Sequence, residues 1–128
     1  MKGLLLVAHG SRRAESNDEV RQLAHQLEAS AGEKFDLVAS AFLELADPSI
    51  PDGLRAMIRA GVGEVTVLPY FLSAGRHVVT DIPGEVNIVR AESPEVEITL
   101  APYLGASPEV VDILLGLASG SGKPANSS

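Results

Sequence analysis

The chain has 128 residues, a length that suits one compact domain, and its apolar content of 45% is sufficient for a hydrophobic core. It contains no cysteine, which excludes disulfides, iron–sulfur clusters and thiolate metal sites, so any metal ligands must be nitrogen or oxygen atoms. The formal net charge of −7, without any basic stripe, argues against nucleic acid as the main partner.

Apolar runs alternate with helical patterns along the whole chain. Continuous apolar runs of this kind are typical of strands that are covered on both faces of a sheet. They predict four strands, at residues 4–8, 37–45, 65–72 and 96–101.

A helical pattern follows each predicted strand. On the first helix Val20, Leu23 and Leu27 form an apolar stripe with the spacing of an amphipathic helix. On the second, Asp47 is predicted to cap the helix, with Pro48 in its first turn. The predicted helices cover residues 14–31, residues 47 to 61 or 63, a stretch to about residue 90 that Pro83-Gly84 interrupts, and residues 107–117.

Strands that alternate with helices predict an α/β fold with a parallel sheet. We expect a single domain over residues 1–118, built as an open doubly wound, flavodoxin-like sheet of four parallel strands in the order 2-1-3-4, with helices on both faces. Residues 119–128 are expected to be a disordered tail. Ligands bind such sheets outside the carboxyl ends of the strands, where the strand order reverses. No apolar run is long enough for a signal peptide or a membrane span, which predicts a cytoplasmic protein.

Three candidate metal ligands follow three neighbouring strands of this sheet. His9 ends the first strand, Glu44 lies near the end of the second, and His77 lies just beyond the third. Since adjacent strands are about 5 Å apart, these strand ends lie close together. Two imidazoles and one carboxylate suit divalent Fe, Co, Ni or Zn, and an incomplete coordination shell leaves room for an incoming ligand.

Each of the three residues also has a purely structural alternative. His9 could be hydrogen-bonded at a strand end, Glu44 could pair with a nearby arginine, and His77 could face solvent at the start of a helix. That all three residues have only a structural role is less expected than that any one of them does. His25 lies opposite the apolar stripe of the first helix, so we expect it to face solvent and assign it no role.

A local basic patch of Arg12, Arg13 and Arg76 adjoins the two histidines. An anionic substrate would need such a patch on an acidic protein, and arginine forks suit carboxylates. Any of the three could instead be a plain surface charge. An apolar wall for a flat ring could come from residues that are equally suited to the core, namely Tyr70, Phe71, Leu72 and Tyr103.

Three blocks of sequence point to a known family. They are residues 6–12 (LVAHGSR), 41–50 (AFLELADPSI) and 69–77 (PYFLSAGRH), the last continuing through DIP at 81–83. In this order and spacing the chain resembles the class II chelatases, in particular the small, single-domain sirohydrochlorin chelatases of the cobaltochelatase and ferrochelatase group. The resemblance covers the chain from its start to about Leu117.

This resemblance implies a chelatase-like fold and a metal site made of His9, Glu44 and His77, which would also be the catalytic residues. It implies sirohydrochlorin as the substrate and a homodimer as the assembly, whereas longer family members fuse two such halves in one chain. The residues that we expect to contact the substrate are Ser11, Arg12, Arg13, Leu72, Ser73 and Arg76.

The sequence therefore predicts an enzyme, a lyase that inserts a divalent metal ion into sirohydrochlorin without ATP or any cofactor beyond the metal substrate. Co²⁺ is the first choice and Fe²⁺ or Ni²⁺ the alternatives, in cobalamin or siroheme biosynthesis. A non-catalytic carrier of a metal or a metallated ring would use the same ligands. A phosphoester hydrolase that uses His9 near Arg12 is disfavoured, because the Arg-His-Gly order of histidine phosphatases and any nucleophile–base pair are missing.

Overall fold

A computed structural model describes residues 1–120 of the chain, and most of the predicted tail, residues 121–128, lies outside the described residues. Its four strands form one parallel sheet in the order β2-β1-β3-β4, which confirms the predicted fold class and strand order. The strands are β1 Lys2–Ala8, β2 Leu37–Phe42, β3 Glu64–Pro69 and β4 Glu97–Leu100.

The helices alternate with the strands as predicted. Four are α-helices, and a π-helix of five residues, His77–Asp81, leads directly into the third of them. A short 3-10 turn, Leu104–Ala106, precedes the last. The α-helices are α1 Ala14–Ala31, α2 Ile50–Arg59, α3 Ile82–Glu92 and α4 Glu109–Ala118.

The sheet carries helices on both faces because its central strand, β1, is apolar on both. Leu5 and Val7 point into the larger core, which α2 and α3 cover. Leu4 and Leu6 point to the other face, where the apolar stripe of α1 packs on β1 and β2. The helix α4 is the exception to the predicted arrangement, because none of its ten residues is buried. Within residues 1–120 no helix has both the length and the apolar character that crossing a membrane requires.

Two predicted strands are too long at their carboxyl ends. β2 stops at Phe42 rather than residue 45, because the chain turns away there and Leu45 adopts a positive φ of 65°. β3 stops at Pro69 rather than residue 72: Pro69 pairs with Val7 of β1, and after it only the Tyr70 N–H still donates to β1, to the Val7 carbonyl at 2.7 Å. Glu44 therefore lies in the loop after β2 and not in the strand itself.

The predicted start of α2 and the predicted interruption of the third helical stretch also need correction. Ser49, not Asp47, caps α2: its Oγ accepts a hydrogen bond from the backbone N–H of Asp52 at 3.2 Å. The Asp47–Pro48 peptide bond is cis, so Pro48 precedes the helix and Pro51 occupies its first turn. The interruption predicted at Pro83-Gly84 is a change from π-helix to α-helix at residue 82.

Candidate functional site

The loop that follows β1 carries His9, and a buried asparagine holds this loop in place. Asn17 is only 6% exposed, and its side-chain Nδ2 donates to the Ser11 carbonyl at 2.8 Å while its Oδ1 accepts from the Ser11 N–H at 3.0 Å. Both hydrogen-bonding groups of the amide are thus satisfied by one residue's backbone. Because Asn17 lies in the first turn of α1, it fixes how the chain leaves the strand and enters the helix.

Gly10 allows the loops after β1 and β2 to touch. It adopts a positive φ of 96°, which L residues rarely adopt, and a Cβ atom at this position would lie 1.7 Å from the carbonyl oxygen of Glu44. The backbone N–H of Glu44 also donates to the His9 carbonyl at 3.1 Å. The glycine after His9 therefore brings the backbones of His9 and Glu44 together.

His77 is the first residue of the π-helix, and Asp81 holds its ring. The His77 Nδ1 and the Asp81 Oδ2 are 2.7 Å apart, and both side chains are partly exposed. The two residues are four apart on one helical face, where side chains meet. Short π-helical segments occur often at functional sites, since they re-aim the side chains of one turn.

The two histidine rings contact each other, which confirms that the ends of β1 and β3 bring them together. Their centroids are 4.7 Å apart and their planes are inclined by 71°. A carbonyl or an ionised carboxylate can only accept a hydrogen bond, so each Nδ1 must carry the proton. The partners of the two Nδ1 atoms are the Gly10 carbonyl, at 3.0 Å, and the Asp81 carboxylate. When a ring with its proton on Nδ1 is neutral, the lone pair lies on Nε2, the arrangement that a metal-ligating histidine has.

Glu44 lies beside His77 but does not complete a compact site. The two residues line one cleft of about 440 Å³, together with Asp81, Glu85 and Ile88. Glu44 is exposed, and among the described residues it forms no ion pair, so the predicted alternative of an arginine partner is not what the structure has. Within residues 1–120 no three His, Asp or Glu side chains are close enough together to form a ready-made metal site.

The residues predicted to contact a substrate lie on the loops around the histidine pair. Ser11 is half-buried, and its Oγ accepts a hydrogen bond from the Arg13 N–H at 3.0 Å, so it has a structural role in the first loop. Arg13 forms an exposed ion pair with Glu15 at 3.5 Å. The other four are exposed: Arg12, Leu72 and Ser73 lie in the loops, and Arg76 directly precedes the π-helix.

The predicted apolar wall is formed in part. Tyr70, Phe71 and Leu72 line a small, mostly apolar pocket of about 260 Å³, with Leu104 in place of the predicted Tyr103. Phe71 also packs against the larger core, as its structural alternative predicted. Tyr70 is 41% exposed and Leu72 is 72% exposed, so both present apolar surface to solvent.

Sequence reasoning missed Asn17 and Asp81. Asp81 could have been found from its spacing of four residues after His77 on a helical stretch. Asn17 offers no such signal, because a buried asparagine and an exposed one look alike in a sequence. His25 is exposed on α1, as predicted.

Away from this site, an ion pair shifts the pKa of both its members. Arg55 on α2 and Glu92 on α3 form an ion pair of two hydrogen bonds, at 2.9 and 2.6 Å. The hydrogen bond from Arg55 holds the pKa of the Glu92 carboxyl below its ordinary value, and the same bond raises the pKa of Arg55. The pair ties two helices on the face opposite α1, so its role is structural.

Known proteins include a matching family model and similar sequences. The family model described as CbiX matches residues 3–119. A sirohydrochlorin cobaltochelatase from Methanococcus maripaludis is 30% identical over 145 aligned positions, which cover 94% of this chain and 99% of that protein. A chloroplastic sirohydrochlorin ferrochelatase from Arabidopsis thaliana is 33% identical over 112 residues, which cover 88% of this chain but only 49% of the relative.

A solved chelatase structure has a similar fold. The sirohydrochlorin chelatase SirB from Bacillus subtilis subspecies spizizenii, in complex with cobalt, superposes with a TM-score of 0.82 at 26% identity. The match covers 92% of this chain and 50% of that one. The chain thus spans about half the length of some relatives and nearly all of others.

Proposed function

Because this chain belongs to the CbiX family, we propose that it inserts a divalent metal ion, Co²⁺ or Fe²⁺, into the tetrapyrrole sirohydrochlorin. The observation that carries the proposal is the pair of contacting imidazoles, His9 and His77, at the carboxyl ends of neighbouring strands. The names of the relatives, which are sirohydrochlorin cobaltochelatases and ferrochelatases, support the substrate and the two metals. The metal ion is a substrate in this reaction and leaves with the product.

The donor set suits a metal that must be released again. In their neutral form the two imidazoles offer Nε2 lone pairs, and the exposed carboxylate of Glu44 lies within the same cleft as His77. Nitrogen and oxygen ligands of this kind bind divalent Co and Fe, while an incomplete shell leaves positions for the incoming ring nitrogens. A closed site of four thiolates would hold the ion too firmly for transfer.

The reaction also has to dispose of protons. Two pyrrole N–H bonds break as two ring nitrogens bind the metal, so two protons leave for each ion inserted. An imidazole that releases the metal regains a free Nε2 lone pair, which can accept one of them. We assign this role to His77, because the Asp81 carboxylate at 2.7 Å stabilises the resulting imidazolium, whereas His9 faces only a neutral carbonyl. The second proton goes to water.

Charge and shape around the pair suit a flat ring with acidic substituents. Arg12 and Arg76 stand exposed on the loops of the two histidines and can fix peripheral carboxylates by paired hydrogen bonds. The exposed apolar surface of Tyr70 and Leu72 offers a wall for the ring itself. Holding the ring at a fixed position over the metal is the main contribution that such binding groups make to the rate.

Three finer predictions belong to this proposal. The reaction needs no ATP, since the sequence has no nucleotide-binding motif. The setting is cobalamin or siroheme biosynthesis in the cytoplasm, according to whether cobalt or iron is the metal used, with nickel as the remaining alternative. The assembly is a homodimer.

The test is direct. Purified protein, sirohydrochlorin and Co²⁺ are mixed, and the visible spectrum of the ring is followed against a protein-free control. We expect acceleration by the wild-type protein and a loss of at least about 100-fold in the His77→Ala and His9→Ala variants, more than outer-shell changes usually cost. His25→Ala is the matched control, because His25 is an exposed histidine on α1, and this variant should keep full activity.

The outcomes separate the competing functions. No acceleration with Co²⁺, Fe²⁺ or Ni²⁺ would end the enzyme proposal. In single-turnover experiments a carrier would bind the metal or the ring without speeding insertion, whereas a chelatase must raise the rate above the control. Full activity in His77→Ala would remove that residue from the site.

A further inference from the structure

The loop that carries Glu44 is held at both of its ends by one side chain of α1, that of Arg21. The guanidinium carbon of Arg21 lies 5.1 Å from the centre of the Phe42 ring, at the residue where β2 ends. Nη2 of the same group donates a hydrogen bond to the carbonyl of Asp47 at 3.0 Å. We call residues 43–48 the Glu44 loop, and Arg21 therefore contacts both the residue before it and a residue close to its end.

The guanidinium of Arg21 is itself fixed in position. Its Nη1 donates to the carboxylate of Asp18, one turn earlier in α1, at 2.9 Å. The Phe42 ring beneath it is completely buried and gives it a rigid surface. A planar guanidinium can offer one face to a ring while two of its nitrogens donate in different directions, which a single ammonium group cannot do.

The second half of the Glu44 loop depends on this contact. The first two loop residues donate backbone hydrogen bonds to the end of β1, at 3.0 and 3.1 Å. Within residues 1–120 the hydrogen bond from Arg21 is the only one that reaches residues 45–47. Leu45, directly after Glu44, has a positive φ of 65°, a strained conformation that persists only where the surrounding structure holds it.

The start of α1 thus connects two of the loops at the candidate site. Asn17 holds the loop that carries His9, through both of its hydrogen bonds to the Ser11 backbone. Arg21, four residues later and so on the same face of the helix, holds the Glu44 loop. Because both contacts originate from one rigid helix, the position of one loop is set relative to the other.

We propose that Arg21 is a positioning residue for Glu44. It contacts neither the metal nor the ring, but it maintains the loop conformation from which the Glu44 carboxylate reaches an ion on the histidine pair. The inference rests on the proposed function, because Glu44 needs positioning only if it is a metal ligand. Without the guanidinium the loop populates other conformations, and the apparent affinity falls in proportion to the fraction that stays competent.

The sign of the effect separates positioning from charge. Arg21 is a cation near the candidate site, so by electrostatics alone its removal should strengthen the binding of a divalent cation. The loss of a positioning contact should instead weaken binding. A rise in the Kd for Co²⁺ after removal of this positive charge is therefore not explained by electrostatics.

The first part of the test is calorimetric titration of the full-length protein with Co²⁺. Arg21→Met keeps most of the stem on the Phe42 ring but removes the guanidinium. We expect the Kd to rise by about 10-fold, the lower end of the range for partners outside the coordination shell, because the Arg21 side chain is 39% exposed. Arg59→Met is the matched control, since Arg59 is exposed at the end of α2 and forms no ion pair within residues 1–120, and its affinity should stay unchanged.

A conservative variant keeps the test valid if Arg21→Met folds poorly by circular dichroism. Arg21→Lys retains the positive charge and a long stem, but one ammonium group cannot make all three contacts of the guanidinium. We expect a rise in Kd in the same direction as for Arg21→Met, but a smaller one.

The second part is a double-mutant cycle with Glu44→Ala. Glu44→Ala should raise the Kd more than Arg21→Met does, because it removes the ligand and not only its support. If Arg21 acts through Glu44, adding Arg21→Met to Glu44→Ala should change the Kd no further. A general loss of structure at the site would weaken binding in both backgrounds.

Each other outcome overturns the inference in a recognisable way. An effect of Glu44→Ala without any effect of Arg21→Met would remove Arg21 and leave the proposed function intact. An unchanged Kd in Glu44→Ala would remove Glu44 from the metal site, and the role of Arg21 with it. Tighter binding in Arg21→Met would leave Arg21 as a charge only. Equal weakening in the presence and absence of Glu44 would show that Arg21 supports the whole site rather than this loop.

Discussion

Asp81 is the residue whose replacement most directly tests the proposed role of the histidine pair in binding a metal. In Asp81→Asn the side chain keeps its shape but loses its charge, so the carboxylate that accepts the His77 Nδ1–H becomes a neutral amide. If the amide oxygen faces Nδ1, the hydrogen bond survives in a weaker form. If the amide nitrogen faces Nδ1, it donates, and the ring proton moves to Nε2, where it blocks the lone pair that a metal needs.

The size of the effect follows from the geometry. Outer-shell partners of ligating histidines typically change metal affinity or activity by about 10- to 100-fold. The Asp81 and His77 side chains are 38% and 44% exposed, so water screens part of their interaction. We therefore expect the lower end of the range, about a 10-fold rise in the Kd for Co²⁺, which corresponds to about 1.4 kcal/mol.

Two measurements check this expectation. Calorimetric titration with Co²⁺ gives the affinity, and ¹⁵N chemical shifts of the His77 ring report which nitrogen carries the proton. Glu33→Gln, which removes an exposed carboxylate after α1, controls for the change in net charge. Unchanged affinity together with an unchanged ring tautomer in Asp81→Asn would refute the reasoning and leave Asp81 as an ordinary surface carboxylate.

Two further predictions concern the framework around the site. Gly10→Ala should destabilise the protein by about 3 kcal/mol or more in urea unfolding, since it combines a positive φ with a backbone clash, whereas Gly84→Ala in α3, where a Cβ meets nothing within 4 Å, should be neutral or stabilising. Equal effects at the two glycines would contradict the close approach of the loops. For Glu92→Gln the loss of the Arg55 ion pair should lower Tm at neutral pH. Because the pKa of Glu92 is depressed in the folded state, this difference should shrink as pH falls below its ordinary value of 4.5. A difference that does not shrink at all as the pH falls below 4.5 would show that the ion pair is not its cause.

Strand positions and their order could be predicted because burial on both faces leaves a simple signature. Each strand of a covered parallel sheet must be apolar along its whole length, and residues 4–8 show this without interruption. The order 2-1-3-4 is one of the few that short, right-handed crossovers allow, and it is a common order of doubly wound sheets. The placement of His9 and His77 at adjacent strand ends is a consequence of that order, which explains why two residues far apart in sequence could be paired.

Strand ends were harder to predict, because apolar side chains continue past the last backbone hydrogen bond. Leu43 packs against the core from the loop after β2, and Phe71 does so after β3. Their hydrophobicity reflects burial, which is the same in a loop that lies on the core as in a strand. The end of a strand depends on where its neighbour ends and on turn geometry such as the positive φ of Leu45, neither of which the apolar pattern records.

The surface that covers an apolar helix, and the hydrogen bonds of a buried side chain, are harder to predict from one sequence. The helical pattern of residues 107–117 predicted α4 with a capping serine; the helix begins at Glu109 with Pro108 at the N-cap position, and Ser107, one residue earlier, accepts a hydrogen bond from the Glu109 N–H at 3.3 Å. A pattern that is apolar on all sides, however, states only that the helix must be covered, and not by which surface. The burial of the Asn17 amide cannot be predicted from the sequence either, because it depends on a loop six residues away.

The exposed position of the Glu44 side chain suits a metal ion that is a substrate and must be released, rather than one that the protein holds permanently. The histidine pair is already in contact, and each Nδ1 has its partner, so these two proposed ligands would lose little freedom if an ion bound. Glu44 differs, because only its backbone is fixed, by the approach of Gly10, while its exposed side chain forms no compact group with the histidines. We infer that two rigid nitrogen donors position the ion, and that the carboxylate joins and leaves by rotation of its side chain. Three rigid donors would bind the ion more tightly but would also raise the barrier to its transfer, since every bond to the protein must break as the ring takes over.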